Sequence, residues 1–155
     1  MAIQRITPFL WFDTQAEEAA QFYTSIFPNS KIINPVRNGE GGPAGTVLTV
    51  EFELDGLRLV GLNGGPHFKF TEAVSFVINC DTQEEIDRYW EKLTSDGGAE
   101  VQCGWLKDKF GLSWQVVPSI LPKLLSKPEQ GKKVMQSLMK MKKLDIRELE
   151  AAAAS

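Results

Sequence analysis

The sequence repeats one order of predicted elements, and this repeat limits the possible folds more than any other feature. The first copy begins with an apolar strand and continues with a helix whose apolar residues recur at helical spacing. Three further strands follow, separated by turns that are rich in glycine or contain Asp-Gly. The predicted elements are a strand at 6–12, a helix at 14–27, and strands at 31–36, 46–54 and 57–62. Their order is β-α-β-β-β.

The same order returns in the second half of the chain. The triplet Asp13-Thr14-Gln15 before the first helix recurs as Asp81-Thr82-Gln83 before the second, and both Asp and Thr are typical N-cap residues. We expect Asp13 or Thr14 to cap the first helix, Asp81-Thr82 to cap the second, and Gly97-Gly98 to end the second. The predicted strands of this copy lie at 74–80, 99–103, 105–107 and 112–117. The agreement of order and spacing predicts a duplicated βαβββ unit.

These elements predict an α+β fold of tandem βαβββ modules in a single domain that spans residues 1–155. Module one covers 3–63, a linking loop covers 64–73, module two covers 74–118, and a C-terminal helical tail covers 119–155.

The tail has its own predicted structure. We expect a short helical turn at 120–125 and then one helix from Glu129 to about Ala154, with an apolar face that includes Val134 and Leu138. The basic residues from Lys132 to Lys143 are expected to form a solvated face.

The bulk composition excludes several classes of function. A formal net charge of −3 and a pI near 5.3 lack the basic excess of nucleic-acid-binding proteins, so we expect no nucleic acid partner. No apolar run approaches the roughly 18 residues of a membrane helix, and the first residues do not resemble a signal peptide. We therefore expect a cytoplasmic protein with no membrane contact, in which Cys80 and Cys103 stay reduced.

Four stretches of the sequence, together with the tandem modules, carry a resemblance to a known family. They are ITPFLWFD with EEAAQFYTSIFP, LNGGPHFKF, QCGWLKDKFGLSWQVVP and VMQSLMKMKKLDIRELEAA. The chain resembles the PhnB-like branch of the vicinal-oxygen-chelate superfamily, which contains glyoxalases, bleomycin resistance proteins and dioxygenases. The resemblance implies a curved mixed sheet, a small-molecule ligand and a homodimer, and the strand edges that the modules leave would suit a dimer.

Members of this branch often carry the label 3-demethylubiquinone-9 3-methyltransferase-like, but the sequence does not favour that reaction. A protein that uses S-adenosylmethionine usually has a glycine-rich turn between a strand and a helix of a doubly wound parallel sheet. Here the glycines from Gly39 to Gly45 lie between two predicted strands. We therefore expect that the chain is not a genuine S-adenosylmethionine methyltransferase.

The resemblance also implies where a metal ion would bind, since metal-dependent members hold a divalent ion with side chains from the first and last strands of both modules. The matching positions are Thr7 or Pro8, Val60, Ser75 or Val74, and Gln115. Only Gln115 is a residue type that such sites use, and no carboxylate offsets the charge of an ion. His67, the only histidine, lies in the linking loop. We therefore expect no tightly bound catalytic metal and no cofactor.

Side chains of mixed character are predicted to line a ligand-binding cavity. Because side chains alternate along a strand, Gln115 shares one face with Ser113, while Trp114 points towards the helices. The candidate ligand-binding residues are Thr7, Phe9, Trp11, His67, Ser75, Val77, Trp105 and Gln115. A mixture of aromatic and polar side chains is typical of a small-molecule cavity.

Several of these residues also have simpler interpretations. Trp11 can be a core residue, His67 can be an ordinary loop residue, and Trp105 can cover either the cavity or a subunit interface. Asp108 suits a turn better than the role of a general acid or base, because Asp-Lys-Phe-Gly is a typical turn sequence. No histidine lies near Cys103 in the sequence to activate it as a nucleophile.

Three functions stay open at this point. The first is a small-molecule-binding protein, or a weakly specialised enzyme, that works without a metal. The second is a metal-dependent lyase, isomerase or dioxygenase with atypical ligands. The third is a non-enzymatic dimeric interaction module. The sequence assigns no catalytic residue, because a shared fold does not determine the reaction.

Overall fold

The computed structural model describes residues 3–37 and 46–155. The chain forms two compact units, Met1–Lys69 and Phe70–Ser155, and the division falls inside the predicted linking loop. The predicted glycine-rich turn at 38–45 lies outside the described residues. Within the described part of the chain, no helix is long and apolar enough to cross a membrane. That the whole chain is a single domain stays a prediction.

Unit one contains the first βαβββ module, as predicted. Its elements are β1 (Phe9–Phe12), α1 (Ala16–Ile26), β2 (Lys31–Arg37), β3 (Val47–Leu54) and β4 (Leu57–Asn63). The strands form one mixed sheet in the order β1-β4-β3-β2. The pair β1–β4 is parallel, and the other two pairs are antiparallel.

The helix α1 covers one face of this sheet and packs closely on it. Ala16 at its start is fully buried, and the ring of Tyr23 stacks on that of Phe52 in β3 with 6.2 Å between the centroids. Gly61 in β4 allows the close approach, since a Cβ at this position would lie 3.3 Å from the Cβ of Ala16 and 3.3 Å from Cγ1 of Val50. The small residues on both elements therefore set the distance between helix and sheet.

Unit two repeats the arrangement, so the predicted duplication is confirmed. Its first elements are β5 (Ser75–Cys80), α2 (Gln83–Thr94), β6 (Ala99–Glu100), β7 (Trp105–Lys107) and β8 (Ser113–Pro118). One turn of 3-10 helix, Ser95–Gly97, follows α2. The sheet order β5-β8-β7-β6 matches that of unit one, and β5–β8 is again the parallel pair.

The two helices begin in different ways. The predicted cap of α2 is confirmed, because the Thr82 side chain accepts a hydrogen bond from the backbone N–H of Glu85 at 3.2 Å. The predicted cap of α1 is wrong: its N-cap is Gln15, which makes no side-chain capping bond. Instead, Oδ1 of Asn63 accepts from the N–H of Ala16 at 2.8 Å. A residue at the end of β4 therefore replaces the local cap.

Strand β1 is shorter than predicted, because Ile6 to Pro8 lie outside it. The register of β1 and β4 would place Thr7 beside Arg58. The backbone groups of Arg58 are already bonded by the side chain of Gln4, which donates to the carbonyl oxygen at 3.0 Å and accepts from the N–H at 3.2 Å. A side chain thus occupies the position that a longer strand would need.

The tail does not form the single long helix predicted from Glu129 to Ala154. It contains three helices, namely α3 (Leu121–Leu124), α4 (Pro128–Leu138) and α5 (Ile146–Ala154). The segment 139–145, here called the tail turn, separates α4 from α5, and Asp145 caps α5 by accepting from the N–H of Glu148 at 3.1 Å. Folding back lets the two helices share one core. The fully or nearly fully buried residues of that core are Leu124, Val134, Leu138, Met141, Leu144 and Leu149.

Candidate functional site

Each sheet has one face that packs on its helix and a second face, here called the far face. In unit two, Leu106, Trp114 and Val116 are buried and alternate with the far-face residues of β7 and β8. The strand register places Val77, Gln115 and Trp105 in one row of the far face, and Ser75, Ser113 and Lys107 in the next.

The second row contains a hydroxyl group without a partner. Ser113 is only 1% exposed, and its Oγ has no hydrogen-bond partner in the described part of the chain. Its neighbour Ser75 accepts a hydrogen bond from Nε2 of Gln115 at 3.0 Å. Lys107 forms an ion pair with Glu72 and holds the pKa of that carboxyl below its ordinary value. The row is therefore polar, and the positive charge of Lys107 in it is paired with the carboxylate of Glu72.

Trp105 differs from the other tryptophans of the chain. The indole N–H groups of Trp11, Trp90 and Trp114 donate to the Gly65 carbonyl, to Glu100 and to Asp108, each at 2.9 Å. Trp105 is half-buried, and its indole N–H finds no acceptor among residues 3–37 and 46–155. It therefore adds an unused donor to the row that contains Gln115.

The far face of unit one carries aromatic and charged side chains. Phe9 and Trp11 lie opposite Val60 and Leu62 in the parallel register, while Leu10 and Phe12 are buried under the helix side. Phe9 is 58% exposed.

A pair of carboxylates lies on this same face beside the aromatic residues. Glu51 is the neighbour of Val60 on β3, and Arg58 is the neighbour of Glu53. The guanidinium of Arg58 lies 3.4 Å from Glu51 and 3.9 Å from Glu53. These carboxylates were not among the predicted site residues. The alternation of Val50, Glu51, Phe52 and Glu53 is the sequence signal that would have found them.

The start of the linking loop wraps around Trp11. A Cβ on Gly64 would lie 2.3 Å from the Trp11 ring, so only glycine fits there. The carbonyl of Gly65 accepts from the indole N–H, and the ring of Phe68 meets that of Trp11 edge-on at 4.8 Å. Trp11 is therefore held by its own loop, while the side chain of His67 in that loop is exposed.

The predicted ligand-binding residues separate by unit. In unit two, Ser75, Val77, Trp105 and Gln115 do lie on one face, in two adjacent rows.

In unit one, Phe9 and Trp11 share the far face of β1, but Thr7 does not continue that strand as the predicted alternation requires. The hydroxyl of Thr7 donates to the carbonyl of Gln4 at 3.4 Å, and the residue is exposed. The role of every one of these residues in binding stays a prediction.

The donor set at the expected metal positions does not suit a divalent ion. Val60 offers no donor atom, Thr7 lies outside the sheet, and Ser75 and Gln115 are bonded to each other. Glu51 supplies a carboxylate, but Arg58 already pairs with it. Among the described residues, no three His, Cys, Asp or Glu side chains are grouped as ligands.

Asp108 has the turn role that its sequence context indicates. It is 3% exposed, and its Oδ1 accepts from the backbone N–H groups of Phe110 and Leu112 at 2.9 and 3.1 Å. Gly111 has a φ of 87° in the same turn. The carboxylate is committed to the backbone and to Trp114.

The two cysteines occupy different environments. Cys80 is fully buried at the end of β5, and burial together with the nearby carboxylates of Glu85 and Asp81 raises the pKa of its thiol to about 12. Cys103 is half-buried and has an unusual positive φ of 62°. A raised pKa leaves Cys80 protonated at neutral pH and therefore a poor nucleophile.

Comparison with known proteins identifies the family. The model of the family 3-demethylubiquinone-9 3-methyltransferase matches residues 4–117. None of the curated proteins matches the chain.

Solved structures agree with the family match. A PhnB protein from Bacillus cereus, provisionally described as a 3-demethylubiquinone-9 3-methyltransferase, is 39% identical with a TM-score of 0.68. The match covers 74% of this chain and 99% of that one. A protein from Pseudomonas aeruginosa is 20% identical, with a TM-score of 0.62 and coverage of 75% and 98%.

A third structure shows how widely the fold is shared. It is a fosfomycin resistance protein from Listeria monocytogenes, complexed with Mn(II) and sulfate, which is 17% identical with a TM-score of 0.55. The match covers 81% of this chain and 98% of that one. The resemblance noted in the sequence is thus confirmed. The chain belongs to the 3-demethylubiquinone-9 3-methyltransferase family, the PhnB-like family that its sequence resembles.

Proposed function

We propose that this PhnB-like chain is a small-molecule-binding protein, or an enzyme that acts on such a molecule, and that it works without a tightly bound metal. The ligand would bind on the far face of unit two. The observation that carries the proposal is the buried hydroxyl of Ser113, which has no partner in the described part of the chain. A buried polar group without a hydrogen bond costs about 1–3 kcal/mol, and a ligand oxygen or nitrogen would remove that cost.

The neighbours of Ser113 support an uncharged ligand. Gln115 has one of its polar atoms bonded to Ser75, which leaves the other atom of the amide available. Lys107 is neutralised by Glu72, so the face offers no net charge for an ionised group. Trp105 and the half-exposed Val77 supply apolar surface in the adjacent row. An aromatic molecule with a carbonyl or hydroxyl group suits this mixture.

Two observations support the absence of a methyltransferase or metal mechanism. Each sheet has only one parallel pair among its described strands. A cofactor such as S-adenosylmethionine usually binds at the carboxyl ends of the strands of a doubly wound parallel sheet. The fold is shared with a protein that was solved with Mn(II), but the positions at which the resemblance implies a metal here have the unsuitable donors described above. A metal-dependent reaction with atypical ligands is the alternative.

Binding of acetanilide and 2-naphthol, two uncharged aromatic probes, tests the proposal by thermal melting and by ¹H–¹⁵N NMR. A ligand present at about 100 times its Kd stabilises the folded state by about 2.7 kcal/mol. We expect either probe to raise the Tm, and S-adenosylmethionine and MnCl₂ to leave it unchanged. A Tm raised by MnCl₂ alone would favour the metal-dependent alternative.

The Ser113→Ala variant makes the test specific. Without ligand it should be as stable as the wild type or more stable by about 1 kcal/mol, because a buried hydroxyl without a partner has been removed. Its affinity for the probes should fall about tenfold. Ser126→Ala, at an exposed serine of the tail, is the matched control and should retain wild-type affinity. Equal affinity in both variants would contradict the proposal.

We also propose that the chain forms a homodimer. The support is an exposed apolar set in unit one, in which Ile3 is 91% and Ile6 is 82% exposed next to β1 at the edge of its sheet. Light scattering coupled to size-exclusion chromatography tests this. Ile6→Asp should yield monomers, whereas Leu57→Asp, an exposed site in the turn-side end of β4, should not.

A further inference from the structure

The C-terminal tail lies outside the part of the chain that the family model matches. The family match ends at residue 117, and the Bacillus cereus structure aligns with 74% of this chain although 99% of its own length is covered. We infer that the tail turn holds Trp105 in place and thereby controls ligand binding on the far face of unit two. The consequence for the ligand rests on the proposed function, whereas the positioning of Trp105 does not.

The first step is a direct backbone connection. The N–H of Cys103 donates to the carbonyl of Met141, and the N–H of Gly104 donates to that of Lys142, both at 2.8 Å. Both acceptors belong to the tail turn. These two bonds connect the tail to the residues that immediately precede Trp105.

The second step concerns the conformation of this connection. Cys103 and Gly104 have φ values of 62° and 85°. Glycine adopts such a value readily, but a residue with a side chain, here Cys103, rarely does. Strained backbone of this kind persists only when the surrounding structure determines it. The bonds from the tail turn are the interactions that hold the N–H groups of this pair, so the tail supports the strained conformation.

The third step links the pair to the far face. The carbonyl of Gly104 accepts from the N–H of Val116 in β8 at 2.8 Å, so the pair lies between β8 and the tail. A Cβ on Gly104 would lie 3.0 Å from Cδ1 of Leu144 and 3.1 Å from the Val116 carbonyl oxygen. Trp105 follows directly and pairs with Gln115 in the register. A shift of the tail turn would therefore move Trp105 relative to Gln115.

The tail turn is in turn anchored to α2 rather than to the far face. Gln83 donates from Nε2 to the carbonyl of Leu144 at 3.0 Å and accepts from the N–H of Ile146 at 2.9 Å. Lys143 forms an ion pair of 2.9 Å with Asp87. These contacts hold the tail turn against α2, while its carbonyl groups accept the hydrogen bonds from Cys103 and Gly104.

The indole ¹H–¹⁵N signal of Trp105 reports its position directly. It can be assigned by its loss in Trp105→Phe, and it is measured in the full-length protein without ligand. Leu144→Ala removes the tail side chain next to Gly104, and we expect it to shift this signal. Acetanilide should bind this variant about tenfold more weakly, the effect of losing one hydrogen bond.

Two matched controls, Leu149→Ala and Gly111→Ala, separate positioning from general destabilisation. Leu149→Ala makes a similar cavity in the same tail core, and its Trp105 signal and acetanilide affinity should stay at wild-type values. Gly104→Ala should shift the signal, whereas Gly111→Ala should not: both glycines have positive φ, but an added Cβ at Gly111 meets nothing within 4 Å.

An unchanged Trp105 signal in both Leu144→Ala and Gly104→Ala would overturn the inference, as would equal shifts in Leu144→Ala and Leu149→Ala. Failure of the proposed function looks different. If the wild type does not bind acetanilide while Leu144→Ala still shifts the Trp105 signal, the ligand proposal is wrong and the positioning of Trp105 by the tail stands.

Discussion

Asp108 accepts a hydrogen bond from the indole N–H of Trp114, with 2.9 Å between Oδ2 and Nε1. The same carboxylate also accepts hydrogen bonds from two backbone N–H groups of its turn. A buried charge is stable only when its oxygens are well bonded, and here both oxygens are used. The turn before β8 and the indole on the helix side of β8 are therefore joined through one side chain.

Replacing this carboxylate should destabilise the protein. In Asp108→Asn, an NH₂ group replaces one of the two carboxylate oxygens, so at least one of the three donors loses its acceptor. We expect the free energy of unfolding in urea to fall by about 2–3 kcal/mol. Asp55→Asn, at the exposed Asp-Gly turn of unit one, is the matched control and should change it by less than about 0.5 kcal/mol. Similar losses in both variants would contradict a special role for Asp108.

Replacing Asn63 should lower the free energy of unfolding more than replacing the residues that precede α1. Its Oδ1 accepts from the N–H of Ala16, and its Nδ2 donates to the carbonyl of Val47 at 2.9 Å. Asn63→Ala should therefore reduce the free energy of unfolding by about 1–3 kcal/mol. Thr14→Ala should have almost no effect, because Thr14 does not cap the helix. The opposite ranking in urea denaturation would show that the local cap dominates.

The thiol of Cys80 should make the protein less stable at alkaline pH. A cysteine thiol in an unfolded chain titrates at about pH 8.5, whereas Cys80 in the folded protein has a pKa of about 12. Between these values the unfolded state has lost a proton that the folded state retains, so the free energy of unfolding falls as the pH rises. Cys80→Ala should remove part of this decline, and Cys103→Ala should keep it. Urea denaturation between pH 7 and pH 11 would detect the difference, and identical slopes would refute the expectation.

Gly61 should tolerate no side chain. In Gly61→Ala the new methyl group would lie 3.3 Å from Ala16 and Val50, so α1 or β3 would have to move. Such overpacking typically costs 1–3 kcal/mol. Combining the change with Ala16→Gly in a double-mutant cycle should recover part of the loss. If the effects of the two substitutions on the free energy of unfolding simply add, the cost of Gly61→Ala does not come from its contact with Ala16.

The candidate site could be predicted in part, because the period of two along a strand is a local property. It correctly grouped Ser75 with Val77 and Gln115 with Ser113, since β5 and β8 are regular and paired over six positions. The same reasoning failed at Thr7, where the side chain of Gln4 takes the backbone groups of Arg58. It also overlooked Glu51, although the alternation of β3 places that carboxylate beside Val60.

The sequence by itself determined the two βαβββ modules, the α+β class and the turn role of Asp108. These features depend on apolar periodicity, turn residues and short-range hydrogen bonds, which act between residues close in the chain. The tertiary structure decided the rest: the cap of α1 by Asn63, the folded tail, and the buried hydroxyl of Ser113 that has no partner among residues 3–37 and 46–155. The carbonyls of Met141 and Lys142 bond Cys103 and Gly104 instead of continuing a helix, and no local pattern reveals a partner so far away in the chain.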